Sequence, residues 1–270
     1  MALAKPPVQD NAYAAALALL DRAPLIDGHN DLPYVIRMSR AARGDVGAYD
    51  LTKVHAEGDT DIPRMQAGKL AGQFFAAYVP PKQKGPAGFA LAQIALMRDI
   101  LKRHTDAFRP GLSADDVVAA KAEGRIALFM TIENGTALDN QLDALDAYYD
   151  LGIRLMTLCH NDTTDWCDSA TDAPRHDGLT AFGKDVIRRM NRLGMVVDLA
   201  HVSPKVMHDT LDVTSAPVVW SHSNAFSLCD HPRNVPDDVL DRVAGNGGVV
   251  MATVVPDFIN QASRDWHRPA

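Results

Sequence analysis

The feature that most constrains this chain is an alternation. Seven apolar, β-rich runs recur along it: "PLIDGH" (24–29), "GQFFAAYV" (72–79), "RIALFMTIE" (125–133), "IRLMTLCH" (153–160), "GMVVDLAH" (194–201), "APVVWSH" (216–222) and "GGVVMATVV" (247–255). Between them lie segments of helical periodicity, such as "FALAQIALMRDILKRH" (89–104) and "TAFGKDVIRRMNRLG" (180–194), the second closing on a glycine suited to a helix C-cap. Strands that are apolar along their whole length belong to a parallel sheet covered on both faces. The choice is therefore between a doubly wound sheet and a (β/α)8 barrel.

Two absences and one pattern decide it. Neither GxGxxG nor GxxxxGK[ST] occurs in the chain, so the phosphate-binding signatures of open sheets are missing. In their place, polar residues close several different runs: His29 and Asp31, Glu133, His160, His201 and His222. Barrel active sites are assembled in this way, from the carboxyl ends of many strands. The expected fold is α/β, of the (β/α)8 TIM-barrel type, as a single domain over residues 1–270. Seven runs fall one short of eight. Either residues 40–60 hide a strand or the last β-α unit is lacking, in which case the first and seventh strands would have unpaired edges.

Composition narrows the partners. A formal net charge of −7 and no cluster of Lys and Arg exclude a nucleic-acid surface. No apolar stretch approaches the ~18 residues of a membrane span. "AYAAALALL" (12–20) reads as an amphipathic N-terminal helix rather than a signal remnant. The cytoplasm is favoured, with the periplasm the alternative for a chain whose leader has been removed. Cys159, Cys167 and Cys229 lack zinc-ribbon spacing and are expected as reduced, buried thiols.

The stretch "PLIDGHND" (24–31) raises the chemical question. Residues two apart on a strand share a face, so His29 and Asp31 would project together, as two ligands of one ion do. Glu133 closes an apolar run before an Asn134-Gly135 turn; taken alone it reads equally as a loop or capping carboxylate. His201 and His222 are 21 residues apart, about one β-α unit. Three histidines, one aspartate and one glutamate exceed a single tetrahedral zinc site. They suit two metal ions sharing a carboxylate, with Glu133 the central choice, and the implied chemistry is metal-assisted hydrolysis, of an amide above all.

The stretches "PLIDGHNDLP", "TIENG", "LCHND", "GLTAFGKDVIRRMNRLGMVVDLAHVS" and "WSHSNAFSLCDHPRNVPDDVL" resemble, in order, the membrane dipeptidase family of zinc peptidases, from about residue 20 to the end of the chain. The resemblance implies a binuclear zinc centre: His29 and Asp31 on one ion, His201 and His222 on the other, Glu133 bridging. It implies attack by a hydroxide held between the two zinc ions on the peptide bond of a dipeptide with a free C-terminal carboxylate. It also implies that His160 contacts the scissile carbonyl and that Arg233, in "HPRN", binds the carboxylate, a role its planar fork suits. The alternatives are a core or ligand-supporting histidine at 160 and a surface ion pair of Arg233 with Asp237 or Asp238. A homodimer follows from the family similarity alone. Asp27 is expected to orient a ligand imidazole or to pack, Asp162, Asp165 and Asp168 to be solvated loop carboxylates, and Trp166 to line the pocket.

The sequence departs from the family in one place. It lacks a "GSDFDG"-like block after an eighth strand, and Asp257 in "VPDFIN" does not inherit the role of that block's aspartate. The expectation is a dipeptidase cut off after its seventh strand, with a weakly active or inactive metal-binding barrel as the alternative. Other amidohydrolases begin mostly with HxH, which the HxD of His29 and Asp31 disfavours.

Overall fold

The computed structural model describes residues 10–56 and 58–267. Its strands are β1 (Leu25–Asn30), β2 (Leu70–Tyr78), β3 (Phe108–Pro110), β4 (Ile126–Glu133), β5 (Ile153–Thr157), β6 (Val196–Asp198), β7 (Val219–Trp220) and β8 (Val249–Val250). The helices are α1 (Asp10–Arg22), α2 (Leu32–Met38), α3 (Ile62–Ala67), α4 (Pro86–Arg103), α5 (Ala114–Ala122), α6 (Ala144–Asp150), α7 (Ala181–Leu193), α8 (Pro204–Val213), α9 (Asp237–Asn246), α10 (Pro256–Ile259) and α11 (Gln261–His267). The strand pairs with a described register are all parallel. Followed along the hydrogen-bonded neighbours, the order is β1-β2-β4-β5-β6-β7-β8, with β3 beside β4. This is the expected α/β fold of (β/α)8 type.

The eighth strand is not where it was sought. Residues 40–60 hold turns, and the extra strand is β3, three residues that run alongside Phe108↔Ile126, Arg109↔Ala127 and Pro110↔Leu128. After β8 come α10 and α11, with no further strand among the described residues.

The described residues form two compact units, one drawn from 10–75 with 95–129 and one from 76–94 with 130–267. In the first, β1 pairs β2, and Ala71, Val117, Ala120, Ala127 and Phe129 form a core closed by Ile26 and Phe74. In the second, the carboxyl half of β4 leads into β5, β6, β7 and β8. Every residue of β4 is buried, as a strand covered on both faces must be.

The helices of the second unit start and stop on sequence signals. Thr180 accepts the Gly183 N–H at the start of α7, and Gly194, at φ 77°, ends it in the left-handed conformation that favours glycine. Ser203 caps α8 ahead of Pro204 in the same manner. The inward faces of α7 and α8 bury Val186, Ile187, Met190, Val206 and Met207, which fix the helices behind the strands. Cys159, Cys167 and Cys229 are free and buried, as expected.

Candidate metal centre

Glu133 is the last residue of β4 and is 2% exposed. Its carbonyl accepts the Val79 N–H at 3.0 Å, and its strand register is held opposite Thr157 of β5. The chain must then turn at once. Asn134 takes φ 86°, its side chain donating to the Val79 carbonyl and accepting from Thr136 N–H. A Cβ on Gly135 would run into the Trp166 ring and lie 2.5 Å from the Leu158 carbonyl oxygen, so only glycine fits. This turn leaves a carboxylate at the mouth of the strand, with little access to water.

Three histidines reach it from successive strands. His160 is the third residue after β5, His201 the third after β6 and His222 the second after β7. The His201 Nε2 lies 3.0 Å from Glu133 Oε1, and the Nε2 atoms of His160 and His222 are each 3.8 Å from the same oxygen. The Nε2 atoms of His201 and His222 are 3.0 Å apart. His160 lies between Tyr78 and His201, its ring tilted to both, with centroids 4.8 and 4.2 Å away. His201 has φ 71°, uncommon outside glycine, and its carbonyl is held by Ala170 N–H at 2.8 Å.

Imidazole nitrogens and a carboxylate oxygen this close can share a metal ion. The donor set is that of zinc, which takes His nitrogen and Glu oxygen. His201 Nδ1 faces Asn161 Oδ1 at 3.1 Å, and an amide oxygen can only accept, so Nε2 is left as the ligand atom. The residues therefore fit a metal. Glu133, His160 and His201 offer ligand atoms all within 4.8 Å of one another, which makes His160 a ligand candidate as well as a group beside the centre.

Behind this cluster lies a polar network that the sequence pattern does not single out. Asp198 is fully buried; it accepts from Thr157 Oγ1 at 2.5 Å, Ser221 Oγ at 2.7 Å, Ser221 N–H at 2.9 Å and Ala200 N–H at 3.0 Å. Ser221 Oγ lies 2.8 Å from His222 Nδ1. The one signal that could have found Asp198 is a carboxylate inside the apolar run "MVVDLA". Asn161 and Tyr78 carried no such signal.

Arg233 is not a surface residue. It is 3% exposed, its Nη1 has no hydrogen-bond partner among the described residues, and its Nη2 is 3.5 Å from the His222 carbonyl oxygen. Burial pushes its pKa down to about 10, partly offset by the negative charges of Glu133 and Asp198. The loop that carries it is braced by buried Asn234, whose Nδ2 donates to the carbonyls of Cys229 and Phe258, both at 2.8 Å. A buried cation with a donor to spare has the chemistry to receive an anion.

In the first unit, Asp31 has left the strand and begins α2 as its N-cap without capping it. Its carboxylate instead lies 3.4 Å from His29 Nε2, so the pair expected from the HxD spacing does come together. Asp27 accepts the His29 backbone N–H at 3.1 Å and so braces the chain beside the imidazole. In the second unit, Asp168 is a correction: it is buried and not solvated. Burial raises its carboxyl, but backbone N–H groups of Gly178, Arg175 and His176 outweigh that and hold it below the ordinary range. Trp166 is buried, its ring lining a cleft of about 240 Å³ with Lys82, Thr136 and Asp139.

The membrane dipeptidase family (peptidase family M19) matches residues 13–266. Dipeptidase 3 of Mus musculus is 38% identical over 247 residues, 88% of this chain and 48% of the relative. Dipeptidase 3 of Rattus norvegicus is likewise 38% identical, over 88% of this chain and 49% of its own length. The chain thus spans about half the length of these curated relatives. Among solved structures, the probable dipeptidase PvdM from Pseudomonas aeruginosa shares the fold, with TM-score 0.82 at 22% identity, over 94% of this chain and 65% of that one. A metallopeptidase from Rhodobacter sphaeroides, liganded with a phosphinate mimic of the dipeptide L-Ala-D-Ala, has TM-score 0.78 at 25% identity, over 89% and 76% of the two chains.

Proposed function

The chain belongs to the membrane dipeptidase family, peptidase family M19, and from that premise we propose that it is a zinc-dependent dipeptidase acting on dipeptides with a free C-terminal carboxylate. The observation that carries this reading is the convergence of His201, His222 and His160 on Glu133 Oε1, within 3.0 to 3.8 Å. In this reading Glu133, His201 and His222 hold one zinc. From the sequence pattern, His29 and Asp31 are assigned to a second, with Glu133 as the bridging carboxylate. When bound, zinc supplies an activated water and polarises the carbonyl it attacks.

The other roles belong to the protein's own groups. Arg233 receives the substrate carboxylate, which satisfies its spare Nη1 by a charge-assisted bond. His160, held between Tyr78 and His201, donates to the scissile carbonyl oxygen as charge develops there. A mimic of L-Ala-D-Ala in the Rhodobacter relative supports including dipeptides with a D-residue at the C-terminal position.

The test is metal content and hydrolysis of L-Ala-L-Ala and L-Ala-D-Ala by the purified chain, beside Glu133→Gln. The expected result is two zinc ions per chain, with turnover lost on chelation and restored by zinc. Glu133→Gln should lose both metal and turnover. Hydrolysis that survives chelation, or a chain that binds no zinc, would overturn the proposal.

A further inference from the structure

We propose that Asp198 is a positioning residue of the metal centre, acting through Ser221 to fix the tautomer and ring orientation of His222. The proposal rests on the reading that His222 binds metal and goes beyond it by assigning two residues that touch neither metal nor substrate.

Burying a carboxylate is costly unless it is fully hydrogen-bonded, and Asp198 meets that condition with four donors over its two oxygens. Two of the four come from Ser221, one from its backbone and one from its hydroxyl. That double grip decides the direction of the next bond. A serine hydroxyl has one proton, and the 2.7 Å contact to a carboxylate oxygen, which only accepts, commits it. At the 2.8 Å contact with His222 Nδ1 the same oxygen must therefore accept. The proton of a neutral His222 then sits on Nδ1, and Nε2, 3.0 Å from His201 Nε2, carries its lone pair. This is the protonation state a ligand imidazole needs, and hydrogen bonds of this kind orient metal-bound histidines.

The strand register adds a second argument. Asp198 pairs with Thr157 of β5 on one side and Val219 of β7 on the other. One side chain thus joins the ends of the three strands that lead to His160, His201 and His222. A carboxylate that merely tied strands together would need Thr157 and the backbone donors. The bond to Ser221 Oγ is the one that reaches the centre.

The experiment compares native protein, Ser221→Ala, Ser221→Thr, Asp198→Asn and Glu133→Gln, each as the whole chain. Three quantities are read: zinc affinity by chelator competition, the visible absorption of the cobalt-substituted protein, and the melting midpoint of the metal-free form. Ser221→Ala should weaken zinc binding by about 10- to 100-fold and change the cobalt spectrum, while the metal-free midpoint stays near native. Ser221→Thr, which keeps the hydroxyl, should recover both.

Asp198→Asn preserves shape but can present an N–H to Ser221 Oγ, turning the hydroxyl proton toward His222 Nδ1. It should weaken zinc binding in the same direction, and it decides the matter if Ser221→Ala does not fold. Native affinity and spectrum in both Ser221→Ala and Asp198→Asn, with zinc lost in Glu133→Gln, would overturn this proposal and leave the dipeptidase reading intact. Native zinc affinity in Glu133→Gln as well would overturn both.

Discussion

His201 and Asn134 hold left-handed backbone at φ 71° and 86°, one as a ligand candidate and one directly after another. Such conformations cost about 1–3 kcal/mol for residues with a Cβ and survive only where their surroundings impose them. At His201 the imposing contact is the Ala170 N–H, which donates to its carbonyl at 2.8 Å. The strain should be measurable. In metal-free protein, His201→Gly should be more stable than His201→Ala by about 1 kcal/mol, because both lose the imidazole but only alanine keeps the Cβ clash. Urea unfolding of the two variants checks this; equal midpoints would mean that the backbone relaxes. The histidine itself was legible as the end of an apolar run. Its backbone was not, since residue type says little about φ away from glycine.

At the scale of elements, sequence and structure agree where a segment carries its own signals. The closing glycine of α7 was readable, and so was the all-apolar β4. Two mismatches have physical causes. β6 and β7 are three and two residues long although their apolar runs are longer, because the chain leaves the sheet early to present His201 and His222. β3 was invisible because "FRP" has no apolar run and holds a proline, which a strand tolerates only where no ladder bond is lost.

The loop after β5 also hid its design: Asp168 collects backbone donors from residues 175 to 178 and folds the loop onto itself. Its carboxyl is held below the ordinary value of 3.8, so its stabilisation is complete above that pH and is lost as pH falls through the depressed value. Acid titration of the metal-free protein should therefore show a shallower loss of stability for Asp168→Asn than for the native chain. Parallel curves would argue against the assignment.

Across the whole molecule, the pattern of polar residues ending apolar runs located every histidine and the glutamate that cluster in the second unit. It could not locate Asp198 or the buried state of Arg233, since both depend on what packs around them. Arg233 carries a further consequence. A guanidinium brought down to about 10 by burial, with Nη1 unmatched, is a cost the folded state bears at neutral pH and sheds when an anion arrives. Binding to the folded form alone stabilises it by about 2.7 kcal/mol at a hundredfold excess over Kd, several degrees of melting temperature for a protein of this size. Dipeptides should raise the melting midpoint, their C-terminal amides should not, and Arg233→Met should remove the difference. A flat response to every carboxylate would discount the guanidinium as the anion receptor. If the difference appears, heat alone can rank what the pocket accepts, in a chain that need never turn over a substrate.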